Sequence, residues 1–237
     1  MKRLLPISFL AVLLPLQSAP LFNMVKMLDA TTLEVKVLKD WHSVRGEVAT
    51  RQKLISIRVG ELLLGKEYRV PVRMIVPANR KAKGFHLTGG HNPGQFQQDL
   101  QPRGVDRTLL VRGVGLVQTV VQGLQASGQG ELGRLADRRF VETLNPHYSI
   151  QYWGWPATLM RATTAAYAEK NHFEKGKVAA SGGSKNGASP SVALIEDKRL
   201  TALHASVSPI WGSPLRLCDR KAWDELRRVN EAYATKL

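Results

Sequence analysis

The sequence predicts a three-layer α/β/α sandwich built on a mainly parallel sheet, with antiparallel strands at its N-terminal end. Three observations lead to this fold class. Strand-like and helix-like patterns alternate along the second half of the chain, which indicates parallel strands covered on both sides. Two alternating patterns at residues 53–59 and 68–76 follow each other closely enough to pair as antiparallel strands. A glycine-rich reversal at residues 176–189 joins a short apolar strand to a helix.

Composition limits the function classes that need to be considered. The 237 residues suffice for one sizeable domain, and an apolar fraction of 43% excludes wholesale disorder. Lysine and arginine outnumber aspartate and glutamate by 34 to 19. These basic residues are scattered and no nucleic-acid motif accompanies them, so we predict no nucleic-acid partner, although an anion-binding module is the alternative that charge suggests. No dinucleotide or P-loop fingerprint is complete, and we predict neither a cofactor nor a metal.

The N-terminus has the pattern of a secretory signal peptide. Lys2 and Arg3 precede an apolar run at residues 4–16, and the small residues Ser18 and Ala19 follow. The run is shorter than the ~20 residues of a spanning helix, so no membrane span is expected after its removal. We therefore expect a signal at residues 1–19 and one secreted or periplasmic domain. The alternative is an apolar helix of a cytoplasmic protein.

The remaining elements are predicted from apolar periodicity and turn residues. Pro71 cannot donate to a ladder, so its strand is expected at an edge or with a bulge. The other predictions are strands at residues 32–37, 84–88, 108–115 and 200–210, a turn at 62–66, an exposed excursion at 125–139, and helices at 156–171, 187–195 and 219–237.

The glycine-rich reversal has the pattern of a nucleophile elbow, a sharp strand-to-helix turn that holds a serine hydroxyl clear of the backbone. Two serines fit this pattern. Ser184 lies in Gly-Gly-Ser-Lys-Asn-Gly, where Asn186 replaces the usual glycine and tolerates a left-handed backbone. Ser181 also has small neighbours, but the strand before Ser184 is the longer one. The predicted sandwich is thus of the α/β-hydrolase type over residues 20–237, and the alternative is a glycine–serine turn without chemistry.

Backbone amides near the elbow are candidates for an oxyanion hole. A helix that begins directly after Ser184 supplies free amides and the positive end of its dipole. We therefore expect the amide of Lys185 to be one donor. The second donor is expected from Gly90 or His91, in the glycine-containing loop after a predicted strand. An ordinary turn explains these glycines as well.

Two stretches around the elbow resemble known hydrolases. Residues 181–187 and 196–202 resemble the Gly-Ala-Ser-Lys-Arg-Gly elbow and the Asp-Pro-Arg-Val stretch of the PhoPQ-activated pathogenicity-related proteins. Residues 153–162 are similar to the helix before the elbow in acetyl xylan esterases. The likeness covers roughly residues 150–212 and implies an α/β-hydrolase fold and serine hydrolase activity. It favours Ser184 as the nucleophile, and Asn186 departs from the arginine of that family.

The rest of a catalytic triad is harder to find. In this superfamily the acid and then the histidine follow the serine in the chain. Asp219 could be the acid, although a helix N-cap explains it equally well. His204 is the sole histidine after Ser184, and we expect it in the core because it lies in a predicted buried strand. His91 would make an unusual triad, so we expect the sequence to stop before the last strands and the catalytic histidine.

The leading prediction is a serine hydrolase that attacks an ester or amide carbonyl in a small molecule or a polymer. The alternative is a catalytically inactive binding or structural protein that keeps the fold and lacks the triad histidine. The distinction matters because a serine hydroxyl without a general base is a poor nucleophile. An aspartate and a histidine in the same reading frame after codon 237 would favour the hydrolase. A stop codon there would favour the alternative.

Overall fold

The computed structural model describes residues 20–121, 129–183 and 185–206, together with Asp224 and Arg228. A seven-stranded sheet organises these residues. Its strands are β1 (Lys36–Val44), β2 (Thr50–Leu63), β3 (Lys66–Pro77), β4 (Ala82–Thr88), β5 (Gly115–Thr119), β6 (Phe173–Gly183) and β7 (Leu200–Ser206).

Helices connect the strands and cover the sheet. The α-helices are α1 (Met24–Leu28), α2 (Gly104–Val111), α3 (Gly130–Thr143), α4 (Trp155–Ala168) and α5 (Lys185–Glu196). Short 3₁₀ turns lie at Ala30–Leu33, Pro93–Phe96 and Pro146–Tyr148, and a π turn at Ile150–Gly154 leads into α4. No helix in the described part of the chain is both long and apolar enough to cross a bilayer.

The strand order is β1-β2-β3-β5-β4-β6-β7. The ladders from β1 through β2 and β3 to β5 are antiparallel. Those from β5 through β4 and β6 to β7 are parallel. The strand before the predicted elbow, β6, therefore lies between two parallel neighbours, β4 and β7. The order departs from the chain order at one point, because β5 lies between β3 and β4. This confirms the expected α/β-hydrolase arrangement with antiparallel N-terminal strands.

Alternation along β4 shows how the two faces of the sheet differ. Phe85 and Leu87 are buried in the larger core, which also contains Leu159 and Met160 of α4. His86 and Thr88 point to the opposite face because successive strand residues alternate. On that second face α2 packs through Leu110 against Ile75 of β3 and Leu116 of β5. Helices thus cover both faces, which is the expected three-layer sandwich.

The predicted strand at residues 108–115 is wrong. Its first half belongs to α2, which ends at Val111, and β5 begins only at Gly115. Gly113 has φ of +86°, a left-handed conformation that ends the helix and turns the chain. A short apolar run fits a buried strand and a helix equally well, so periodicity alone did not separate them.

Other element predictions differ from the structure in detail. The expected strand at residues 32–37 is replaced by a 3₁₀ turn followed by β1. The excursion at 125–139 is partly the helix α3. Pro71 lies neither on an edge strand nor at a bulge, because β3 is flanked by β2 and β5; its ladder with β5 begins one residue later, at Val72. The predicted helix at 219–237 lies outside the described residues, apart from Asp224 and Arg228, which are both helical.

A buried arginine fastens the N-terminal segment to α4. Arg161 is 2% exposed, and its Nη1 atom donates hydrogen bonds to the carbonyl oxygens of Lys26 and Asp29 at 2.6 and 2.9 Å. Burial lowers the pKa of Arg161 to about 10, so the guanidinium is still charged at neutral pH. Carbonyl groups at the end of α1 and in the following turn thus stabilise a buried cation that forms no ion pair with a carboxylate among the described residues.

Replacement of Arg161 by methionine should lower the free energy of unfolding by about 2–3 kcal/mol, since the carbonyl groups lose charge-assisted hydrogen bonds. Chemical denaturation would measure the change. Arg112→Met is the matched control, because Arg112 is exposed and should shift stability by no more than ~0.5 kcal/mol. Equal effects of the two substitutions would contradict this role of Arg161.

Candidate functional site

The loop after β4 and the end of β6 lie side by side at one edge of the sheet. Thr88 of β4 and Ser181 of β6 are Cα partners in a parallel ladder. Two residues further along each chain come Gly90 and Gly183. Neighbouring strands are ~4.8 Å apart, so the two predicted parts of the site emerge next to each other.

The strand before the predicted elbow and the helix after it are both among the described residues. The strand β6 ends at Gly183 and the helix α5 begins at Lys185, which leaves one residue between them. That residue, Ser184, and the side chains of Lys185 and Asn186 lie outside the described part. A one-residue link from a strand to a helix is the connection that a nucleophile elbow requires. The amide of Lys185 is in the first turn of α5, where amides have no partner within the helix.

Gly89 is required by packing at the start of the neighbouring loop. Its carbonyl oxygen accepts a hydrogen bond from the amide of Val121 at 2.8 Å. A Cβ atom at Gly89 would lie 2.5 Å from Cγ1 of Val121, closer than real contacts allow, and in a tight contact of 3.2 Å with Cδ2 of Leu159. Gly90, the next residue, is exposed and forms an isolated bridge with Val120. Close packing therefore fixes the point at which the chain leaves β4.

The side chain of His91 is held by its neighbours in the same loop. Its Nε2 atom lies 2.7 Å from Oγ1 of Thr88, and its ring meets Phe96 edge-on with the centroids 6.1 Å apart. Burial lowers the pKa of His91, which keeps the imidazole neutral near pH 7. The contacts with Thr88 and Phe96 thus hold the imidazole of His91 within its own loop.

Arg73 of β3 anchors the following part of the loop. The residue is 4% exposed, and Nη2 donates hydrogen bonds to the carbonyl oxygens of Gln95 and Gln98, both at 2.6 Å. The guanidinium also lies 4.9 Å from the ring centroid of Phe96. Because β3 is a central strand, these contacts tie the loop that carries Gly90 to a rigid part of the sheet.

A serine–histidine contact that the sequence did not predict lies on the α2 face of the sheet. The Nε2 atom of His86 is 2.7 Å from Oγ of Ser181, and both residues are half-buried. This is the separation of a nucleophile and its base. Alternation along β4 could have placed His86 on that face, but only the register with β6 brings it to Ser181.

Asp106, in the first turn of α2, influences both histidines of this region. Burial lowers the pKa of His86, while the nearby Asp106 carboxylate opposes that shift and His204 adds to it. Burial in turn raises the pKa of Asp106, against the effect of His86 and His91. No hydrogen bond joins Asp106 to either imidazole within the described residues. The Asp106 carboxylate therefore acts on the pKa of the two histidines through electrostatic attraction alone.

The two residues considered for the rest of the triad have different outcomes. His204 is exposed on β7, the last strand of the described sheet, and its Cα partner is Ser181. The expectation that it is a core residue is therefore wrong, because β7 has a neighbour on one side only in the described sheet. Asp219 lies outside the described residues. Within the described ranges, no group of three His, Cys, Asp or Glu side chains could hold a metal ion.

Comparisons with known proteins give structural neighbours only. No protein-family model matches the sequence, and no curated protein is significantly similar to it. A CE15 glucuronoyl esterase from Teredinibacter turnerae has a TM-score of 0.47 and 14% identity over 73% of this chain and 44% of that one. An esterase from an Arctic intertidal metagenomic library has a TM-score of 0.44 and 16% identity over 70% of this chain and 63% of that one. A protein assigned as an acetyl xylan esterase from Bacteroides fragilis has a TM-score of 0.47 and 12% identity over 76% of this chain and 49% of that one. The chain thus spans less than two thirds of each of these α/β-hydrolase-fold proteins.

Gly89→Ala should destabilise the protein by about 1–3 kcal/mol, because the added methyl group overpacks the contact with Val121 and Leu159. Gly94→Ala in the same loop is the control, since a Cβ there meets nothing within 4 Å. Thermal unfolding of the two variants would measure the difference. A Gly89→Ala variant as stable as Gly94→Ala would show that close packing does not fix this loop.

Acidification should destabilise the folded protein, and His86 should contribute to this effect. Its folded pKa lies below the ordinary 6.5, so the unfolded chain takes up the proton first as the pH falls below that value. Stability from this group is complete above pH 6.5 and is lost towards the lower folded pKa. In His86→Gln, which can still bond Ser181, the unfolding free energy should fall less steeply from about pH 7 to 5. His147→Gln is the control, because the His147 side chain contacts the carbonyl oxygen of Glu61 instead, and identical slopes in wild type and His86→Gln would refute the assignment.

Proposed function

We propose that this chain is a serine hydrolase that acts on an ester or amide carbonyl, with Ser184 as the nucleophile. The observation that carries the proposal is the single-residue link between β6 and α5 at the carboxyl edge of the parallel strands. In α/β-hydrolases the nucleophile occupies this connection. The hydroxyl would attack the carbonyl carbon of a small-molecule or polymer substrate.

Backbone amides support the same assignment. Negative charge develops on the carbonyl oxygen during the attack, and donors fixed beforehand stabilise it. The amide of Lys185 lies in the first turn of α5, and those of Gly90 and His91 lie in the loop beside it. One donor from the residue after the nucleophile and one from the loop between the third hydrolase strand and the first helix form the oxyanion hole of this superfamily. The β4–α2 connection corresponds to that loop.

A second serine is supported by one specific contact. Ser181 has a half-buried imidazole, His86, at 2.7 Å, and a neutral His86 could accept the hydroxyl proton. However, Ser181 lies inside β6, where the backbone amides belong to sheet ladders and leave few donors for an oxyanion. We therefore assign the nucleophile to Ser184 and regard Ser181 as the competing candidate. Asp219 is proposed as the acid on its position after the elbow in the chain.

Three further proposals rest on sequence patterns. The motif at residues 181–187 supports kinship with the PhoPQ-activated pathogenicity-related proteins. The basic tip and apolar run support a signal peptide at residues 1–19, with export of the domain at residues 20–237. The alternative function, a non-catalytic protein that keeps the fold, makes the opposite prediction for reactivity.

A fluorophosphonate probe should label the protein expressed from its full natural reading frame, and peptide mass spectrometry should place the label on Ser184. Ser184→Ala should abolish labelling, while Ser181→Ala should keep at least half of it. Loss in Ser181→Ala and His86→Gln, with retention in Ser184→Ala, would transfer the role to the Ser181–His86 pair. Absence of labelling in a folded sample that also fails to hydrolyse generic esters would favour the non-catalytic alternative.

A further inference from the structure

A basic cleft lies at the amino ends of β6 and β7, away from the elbow. It encloses about 530 Å³, within the range of small-molecule sites. The cleft is formed by the end of α4, the start of β6, the turn that leads into β7, and the end of α1 with the residue Ala30 that follows it. The residues that define this basic cleft are Tyr167, Lys170, Lys175, Lys198, Arg199 and Thr201.

The lysines of the basic cleft have no acidic partner among the described residues. Lys170, Lys175 and Lys198 are exposed, and none of them forms an ion pair with a carboxylate there. Nζ of Lys198 donates a hydrogen bond to the carbonyl oxygen of Ile195 at 3.2 Å, which leaves its positive charge without a counter-ion. The acidic residue beside them, Asp197, is 1% exposed and is bonded to Arg199 at 2.6 Å. No acidic side chain lines the cleft itself. Three uncompensated positive charges therefore face one concavity.

The walls of the basic cleft are fixed before any ligand arrives. The hydroxyl of Tyr167 donates to the carbonyl oxygen of Gly176 at 3.1 Å. Arg199 donates to the carbonyl oxygen of Met160 at 3.1 Å, and its guanidinium lies 5.7 Å from the ring centroid of Tyr167. Thr201 is bonded to β6 through the carbonyl oxygen of Val178 at 3.2 Å. Only the lysine side chains need to be ordered on binding, which keeps the entropic cost low.

We propose that the basic cleft binds a compact multivalent anion, a small molecule that carries two or more phosphate groups. The cations surround a cavity and do not form a stripe, which suits a compact anion better than a nucleic-acid rod. Lysine ammonium groups act as point charges towards phosphate and impose no planar geometry. Because the cleft is at the opposite end of the strands from Ser184, the proposal does not depend on the hydrolase assignment.

Isothermal titration with inorganic tripolyphosphate would test this site. Binding by the wild-type chain should weaken with added salt, and Lys175→Glu with Lys198→Glu should weaken it at least roughly tenfold, since attraction at two positions becomes repulsion. The control pair is Lys36→Glu with Lys66→Glu. These lysines are exposed and do not line the cleft, and the change in net charge is the same. The control should retain wild-type affinity, and thermal unfolding would verify that both double variants are folded.

Three results would overturn the proposal. The first is no detectable heat with tripolyphosphate at ~0.15 M salt. The second is equal weakening in the cleft variant and in the control, which would indicate net charge alone. The third is tighter binding of duplex DNA than of tripolyphosphate with the same sensitivity to Lys175 and Lys198, which would show a nucleic-acid surface instead.

Discussion

The close pairing of β4 with β6 is the constraint on which the rest of the structure depends. It is made possible at Gly84, where φ is +151° and a Cβ atom would lie 2.2 Å from the carbonyl oxygen of Lys177. No other residue type tolerates both the conformation and the approach. The ladder then runs in register from Gly84 to Thr88 on β4 and from Lys177 to Ser181 on β6. A shift of one residue would turn Phe85 and Leu87 out of the core.

The register between β4 and β6 determines which side chains lie on each face of the sheet and which loops meet at its carboxyl edge. One face of the two strands supplies core side chains such as Phe85 and Val178, against which α4 packs. The other face brings His86 to Ser181. At the carboxyl edge the register places the loop with Gly90 next to the strand-to-helix link. The position of the Gly90 loop, that of the single-residue link between β6 and α5, and the unpredicted serine–histidine contact are therefore three consequences of one strand pairing.

The sequence predicted the parts of this arrangement that depend on local pattern. Alternation in β2 and β3, helical spacing in α4 and the glycine-rich reversal are all signals within one segment, and the corresponding elements are present. It failed where the outcome depends on distant partners. The pairing of His86 with Ser181 joins residues far apart in the chain. His204 was expected in the core because an apolar pattern does not show how many neighbours a strand has, and β7 has one in the described sheet. The wrong prediction of a strand at residues 108–115 has a similar cause. The apolar run at its start is helical because the chain turns at Gly113 and Leu110 packs against the sheet.

The positive charge of the chain has two separate uses. Buried arginines bind carbonyl groups and so tie loops to the sheet: Arg73 holds the loop after β4, and Arg161 holds the segment around α1. A guanidinium can satisfy several carbonyl oxygens from one position, which makes arginine suited to this task and explains basic residues that no acid balances. The lysines of the basic cleft are different, because their side chains are exposed and form no ion pair with a carboxylate among the described residues. The basic residues, scattered and without a motif in the sequence, thus include in the fold buried arginines that stabilise it and the exposed lysines that we propose as an anion site.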